Sequence, residues 1–182
     1  MGQGDGYLLA PYKIGGLMTN RDDLATEAIK PVKGWQNSLI LFVASCGGMG
    51  QLPLFPGTWG SLLGLVITLL FRQQMNPSAH VIIIVSLFFL GVWVSGEAEV
   101  ILGKKDHSSI VIDELVGFFV SILLLPHELP YLLAAFIFFR LFDIWKPWSL
   151  LESLGRGWGV MLDDLAAGII TNLLLQVYIL IF

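Results

Sequence analysis

The sequence predicts an all-α protein: a compact polytopic membrane helix bundle of about four to five spans with a re-entrant or interfacial N-terminal half-helix. Three observations predict it. The 182 residues are 55% hydrophobic and only 13% charged, about half the charge of a typical soluble domain, and the mean hydropathy is +0.78. Several apolar runs approach the roughly 20 residues that cross a bilayer. The charges gather at the ends of those runs, beside breaks made by glycine and proline.

Residues 1–35 read as a polar cytoplasmic tail, mixing Asp22, Asp23 and Glu27 with Arg21, Lys30 and Lys33, and no secretory signal is visible in them. Residues 36–182 form the membrane-embedded domain. The apolar stretch at 37–46 is too short to cross and is broken by Gly47-Gly48-Met49-Gly50 and Pro53. A first span follows at 58–74, with Thr58 as its expected N-cap after the Pro56-Gly57 turn. Further spans are expected at 79–96, from Ser109 to Pro126, from Pro130 to Lys146, and at 160–182. Pro147 disfavours helix at the residue before it, so the fourth span stops near Lys146. Irregular backbone at membrane depth is tolerated only when buried or lining a wet cavity, which marks 53–61 as cavity-lining.

Basic residues orient the bundle. Lys13, Arg21, Lys30 and Lys33 lie in the tail, Lys104 and Lys105 in the second connection, and Arg140, Lys146 and Arg156 around the fourth. The positive-inside rule places these segments in the cytoplasm and the C-terminus outside. A net charge of −4 without a basic block excludes nucleic-acid binding. The lone cysteine, Cys46, excludes an internal disulfide.

On this topology Asp106, Asp113, Glu114, Asp143, Asp163 and Asp164 fall at the cytoplasmic ends of the third, fourth and fifth helices. An ionisable residue at the centre of a span costs about 2.5–3.5 kcal/mol on insertion scales, so several together imply a cavity or partners. Snorkelling at the interface is the plainer reading, and the number of acidic clusters weighs against it. Adjacent acids point about 100° apart on a helix, so one of each pair is expected to face a shared site. Clustered carboxylates offer hard oxygen ligands suited to Mg²⁺. Arg140 and Lys146, one turn either side of Asp143, can neutralise phosphate oxygens. The helix start after Gly57 adds free N–H groups for an anion. Cations, a helix N-terminus and a divalent ion are what phosphoryl transfer needs, and at headgroup depth the natural substrate is a phospholipid phosphate. His80 and His127 read as solvated boundary residues, as do Glu97 and Glu99, whereas His107 beside Asp106 is a candidate for proton transfer.

The blocks Pro56-Gly57-Thr58-Trp59-Gly60-Ser61-Leu62, 106–114 (Asp106 to Glu114), 139–147 (Phe139 to Pro147) and 157–164 (Gly157 to Asp164) resemble the phosphatidylglycerophosphatase A family, in order and at similar spacing over about 37–175. The resemblance implies a Mg²⁺-dependent, all-helical enzyme of the bacterial inner membrane. Such an enzyme removes the terminal phosphate of phosphatidylglycerophosphate to give phosphatidylglycerol. Carried over, it implies metal ligation by Asp113, Glu114, Asp163 and Asp164, and catalysis by Asp113, Glu114, Asp143 and Asp164. Substrate binding falls to Thr58, Ser61, Arg140, Lys146 and Asp106. Either water or a carboxylate can be the nucleophile. Arg156 departs from the family pattern, where another glycine is expected. The membrane and the lipid are the expected partners, and a homo-oligomer is left open. The rival classes are an ion-coupled transporter, which the absence of an internal repeat disfavours, and a phosphatase for another lipid phosphate.

Overall fold

The computed structural model describes residues 34–74, 76–146 and 154–182. Their helices are α1 (Gly34–Ala44), α2 (Pro56–Phe71), α3 (Pro77–Leu102), α4 (Ile112–Ser121), α5 (Leu129–Trp145) and α6 (Trp158–Ile181), with a 3₁₀ turn at Met49–Gln51. No strand occurs among the described residues. Nearly all of the expected tail, Pro147 and Trp148 lie outside them.

The shortest helix, α4, occupies the middle. Nine of its ten residues are buried, Glu114 being the partly buried exception, and it packs against α2, α3, α5 and α6. A helix buried on nearly every side lies inside the bundle, enclosed by its neighbours. Its ten residues rise only about 15 Å, so the segment expected to span from Ser109 to Pro126 is much shorter than a bilayer core. The carbonyls at and just past its end find partners on α6: Asn172 Nδ2 donates to the Ser121 and Leu123 carbonyls at 3.1 and 2.7 Å, and Gln176 Nε2 donates to Asn172 Oδ1 at 2.7 Å. Such side-chain partners let a helix stop at apolar depth.

Two helices, α3 and α6, are long and apolar enough to cross a membrane, at 26 and 24 residues with mean hydropathies of 2.2 and 1.8. Their outward faces carry Ile82, Phe89, Trp93, Leu173 and Val177. α2, at 16 residues, is apolar but shorter.

Close approach depends on small residues. Gly57, Gly60, Ser61, Gly64 and Thr68 form the buried face of α2. A Cβ on Gly64 would meet the Phe118 ring at 2.8 Å, and one on Gly60 the Val111 carbonyl at 2.6 Å. Where α4 crosses α6, a Cβ on Gly168 would collide with the Gly117 carbonyl. Small-residue seams of this kind let membrane helices gain van der Waals contact where no hydrophobic driving force separates helix from lipid.

Helix boundaries follow local chemistry. α5 stops where expected: Lys146 caps it in the left-handed conformation (φ 35°), and its N–H donates to the Phe142 carbonyl. At α2 the cap is Phe55 rather than Thr58, because Pro56 at the first helical position draws the cap three residues earlier. His80 is also not a solvated boundary group. It is 2% exposed, edge-on to Phe119 and to His127, with ring centroids 6.0 and 6.1 Å away.

Candidate active site

The starts of α2, α4 and α6 and the ends of α3 and α5 converge at one end of the bundle. Asp113 and Glu114 come from the first turn of α4, and Asp164 from the second turn of α6. One carboxylate oxygen from each lies within 4.8 Å of the others. Asp113 also stands within hydrogen-bonding range of Glu114, and Asp164 of Asp143. Asp113 Oδ1, Glu114 Oε2 and Asp164 Oδ2 are buried with no donor facing them among the described residues. Buried carboxylate oxygens at this spacing repel one another when ionised, a repulsion that either a proton or a bound cation relieves.

Cations flank the trio. Arg140 Nη1 pairs with Asp143 Oδ2 at 2.6 Å, one helical turn along α5. Lys146 Nζ stands 3.8 Å from Asp163 Oδ2. Burial pulls the Lys146 pKa down, but Asp164, Asp106, Asp143 and Asp163 outweigh it and hold the ammonium above the ordinary lysine value. The first turn of α2 closes the site from above. A Cβ on Gly57 would strike Glu114 Oε1 and lie 3.0 Å from Arg140 Nη1, so a side chain there would displace the ends of both. The lone thiol feels the site too: burial, then the charges of Asp113 and Glu114, push the Cys46 pKa up to about 12.

The expected residues divide. Asp113, Glu114 and Asp164 come together. Asp163 faces the other way, toward Lys146 and a cavity of about 220 Å³ lined by Lys105, Asp106, Val160 and Asp163. The 100° separation of adjacent acids thus holds for 163 and 164, whereas Asp113 and Glu114 both reach the centre. Thr58 is half-buried in the first turn of α2, and its N–H donates to the Phe55 carbonyl at 2.9 Å. Ser61 is fully buried and its hydroxyl donates to the Gly57 carbonyl at 3.0 Å, which makes it a packing group in this conformation. His107 Nδ1 accepts from the Ser109 N–H at 3.1 Å, closing a local turn. Arg156 is exposed.

Sequence reasoning missed Glu99, which it left in solvent. Glu99 is 8% exposed. Its Oε1 accepts from the Asp106 N–H at 3.0 Å and its Oε2 from the Gly157 N–H at 3.1 Å. The signal was helical spacing: Gly91, Ser95 and Glu99 fall at four-residue intervals on one face of α3, and the first two are small enough to mark the packed face.

Fold and site together define a helical membrane protein with an acidic, cation-flanked centre at one end, a donor set suited to a hard divalent ion and an oxyanion. The family model for Phosphatidylglycerophosphatase A matches residues 42–179. A Haemophilus influenzae protein named phosphatidylglycerophosphatase A is 36% identical over 126 residues, 67% of this chain and 77% of that protein. An Escherichia coli protein of the same name is 28% identical over 159 residues, 85% of this chain and 89% of that protein. The chain belongs to the phosphatidylglycerophosphatase A family. No solved structure matches it.

Proposed function

We propose that the protein is a Mg²⁺-dependent lipid phosphatase that hydrolyses the terminal phosphate monoester of phosphatidylglycerophosphate, giving phosphatidylglycerol and inorganic phosphate. The observation that carries the reading is the convergence of Asp113, Glu114 and Asp164 beside Arg140 and Lys146 in a chain of this family.

Asp113, Glu114 and Asp164 would hold the ion, their orphaned oxygens being the donor type Mg²⁺ takes. A bound Mg²⁺ neutralises monoester oxygens and makes water more acidic. Arg140 and Lys146 bind the remaining phosphate oxygens, Arg140 held in place by Asp143 and Lys146 kept protonated by its acidic neighbours. The N–H groups at the start of α2 add a positive edge. This arrangement favours charge gathering on the transferring phosphoryl group, the main demand of the reaction. Asp163 serves the substrate side through Lys146 rather than the ion.

The protein sits in the bacterial inner membrane with this end in the cytoplasm, where Lys104, Lys105, Arg140, Lys146 and Arg156 gather. The chain passes through the bundle from α2 to α6, the α4 passage being enclosed by its neighbours, while α1 lies at the interface. Trp35, Leu39 and Phe42 on its outer face support that placement.

The test is inorganic phosphate release by the purified protein from phosphatidylglycerophosphate in detergent micelles, with Mg²⁺ and with EDTA. Release in Mg²⁺ that EDTA abolishes is the expected result. Faster release from a different lipid phosphate would reassign the substrate, and equal release with and without EDTA would remove the ion from the account.

A further inference from the structure

Glu99 stands outside the reacting centre, yet it joins the two loops that carry its outer wall. One carboxylate oxygen holds the N–H of Asp106 and the other the N–H of Gly157, 58 residues further along the chain. Both loops are bent at these residues. Asp106 is left-handed (φ 48°), a conformation that few residues besides glycine, asparagine and aspartate adopt and that local hydrogen bonds help to hold. Gly157 is left-handed too (φ 69°), and a Cβ there would strike the Val92 carbonyl and lie 2.6 Å from the Gly96 nitrogen, so this loop lies directly on the backbone of α3. A hydrogen bond from a neutral N–H to an ionised carboxylate is roughly twice as strong as a neutral pair, and Glu99 makes two.

Both loops contribute to the lining of an open cavity of about 220 Å³, whose Asp163 pairs with Lys146. Lys105 and Asp106 form one wall. Val160 and Asp163, three and six residues beyond Gly157 on one face of α6, form the other. Fixing the Asp106 and Gly157 amides to a single carboxylate therefore fixes the separation of the two walls.

We propose that Glu99 is a positioning residue that sets the width of this polar pocket, and that the pocket receives the hydroxyl-bearing headgroup next to the phosphate being removed. This rests on the lipid-phosphatase reading above. Asp106 and Asp163 present acceptors for headgroup hydroxyls and Lys105 a cation at the rim. Glu99 touches neither substrate nor ion and acts through the loops, so its loss weakens substrate binding more than it slows the chemical step.

The experiment uses the full chain in micelles with Glu99→Ala and Glu99→Gln, in two measurements. In steady-state phosphate release from phosphatidylglycerophosphate, KM is expected to rise at least tenfold in Glu99→Ala with kcat within threefold of the parent. Glu99→Gln, which keeps one acceptor oxygen, should fall between. In amide hydrogen exchange, the Asp106 and Gly157 amides are expected to exchange at least tenfold faster in Glu99→Ala. The Lys104 amide, which donates to the backbone carbonyl of Glu99, should be unchanged and serves as internal control. Unchanged exchange at Asp106 and Gly157 would overturn the clamp. Faster exchange with unaltered KM, or loss of activity in proportion to the folded fraction alone, would overturn the positioning role. Should Glu99→Ala not fold, the same readouts on Glu99→Gln decide. If the parent protein releases no phosphate from this lipid the reaction assignment has failed, and the exchange data still decide the clamp.

Discussion

At the scale of single residues, charge in an apolar chain is conspicuous, and most of the candidate centre could be read from it. Asp113, Glu114, Asp143 and Arg140 stand in runs of leucine, isoleucine and phenylalanine, where each needs a partner or a cavity. Spacing alone could not say which of Asp163 and Asp164 faces inward, because that depends on the rotation of α6 about its axis. Glu99 was hidden by its neighbours, since two lysines follow it and made it look solvated. Three outcomes belong here. Gly57→Ala should reduce phosphate release at least 100-fold, since the new methyl displaces Glu114 and Arg140; activity within threefold of the parent would show that the first turn of α2 can yield. Ser61→Ala, which removes only a donor to the Gly57 carbonyl, should keep activity within threefold and lower stability by about 1 kcal/mol, read by thermal unfolding in detergent. A large loss of activity there would restore Ser61 to the substrate. Cys46, with its pKa at about 12, should resist iodoacetamide for an hour at pH 8 and react promptly in SDS, because the thiolate is the nucleophile. Rapid labelling of the native protein would contradict the burial.

At the scale of elements, periodicity and breakers placed the helices well and their lengths less well. Pro56, Pro77 and Lys146 mark boundaries that local chemistry dictates. The carbonyls at and just past the end of α4 are met instead by Asn172 and Gln176, some 50 residues away in sequence, and no local pattern announces it. Position matters for α4 because it carries Asp113 and Glu114 and crosses α6 at the level of Asp164. A Cβ on Gly117 would meet the Phe139 ring at 2.6 Å and the Asp164 carbonyl at 2.7 Å. Gly117→Ala should therefore destabilise the protein by about 1–3 kcal/mol, the usual cost of overpacking, and reduce phosphate release at the same time by shifting Asp164. Unfolding followed by circular dichroism, beside the phosphate assay, reads both. Unchanged stability would mean that α4 and α6 can separate without cost.

At the scale of the whole molecule, one end of the bundle is acidic at its centre and basic at its rim, and the outer faces of α3 and α6 are apolar. On the function proposed above, that polarity would orient the protein at a membrane surface with the reacting centre at headgroup depth. In a Cys46→Ser background, Lys104→Cys should react with an impermeant maleimide only in inverted vesicles, and Gln74→Cys only in intact cells; the reverse pattern would turn the bundle over. The central claim concerns the buried carboxylates themselves. Its most direct measurement is the rate of phosphate release from phosphatidylglycerophosphate by Asp164→Asn at saturating Mg²⁺, with helical content checked by circular dichroism. The account predicts a folded protein slowed at least 1,000-fold, a barrier increase of about 4 kcal/mol. A folded Asp164→Asn that turns over within threefold of the parent would contradict it.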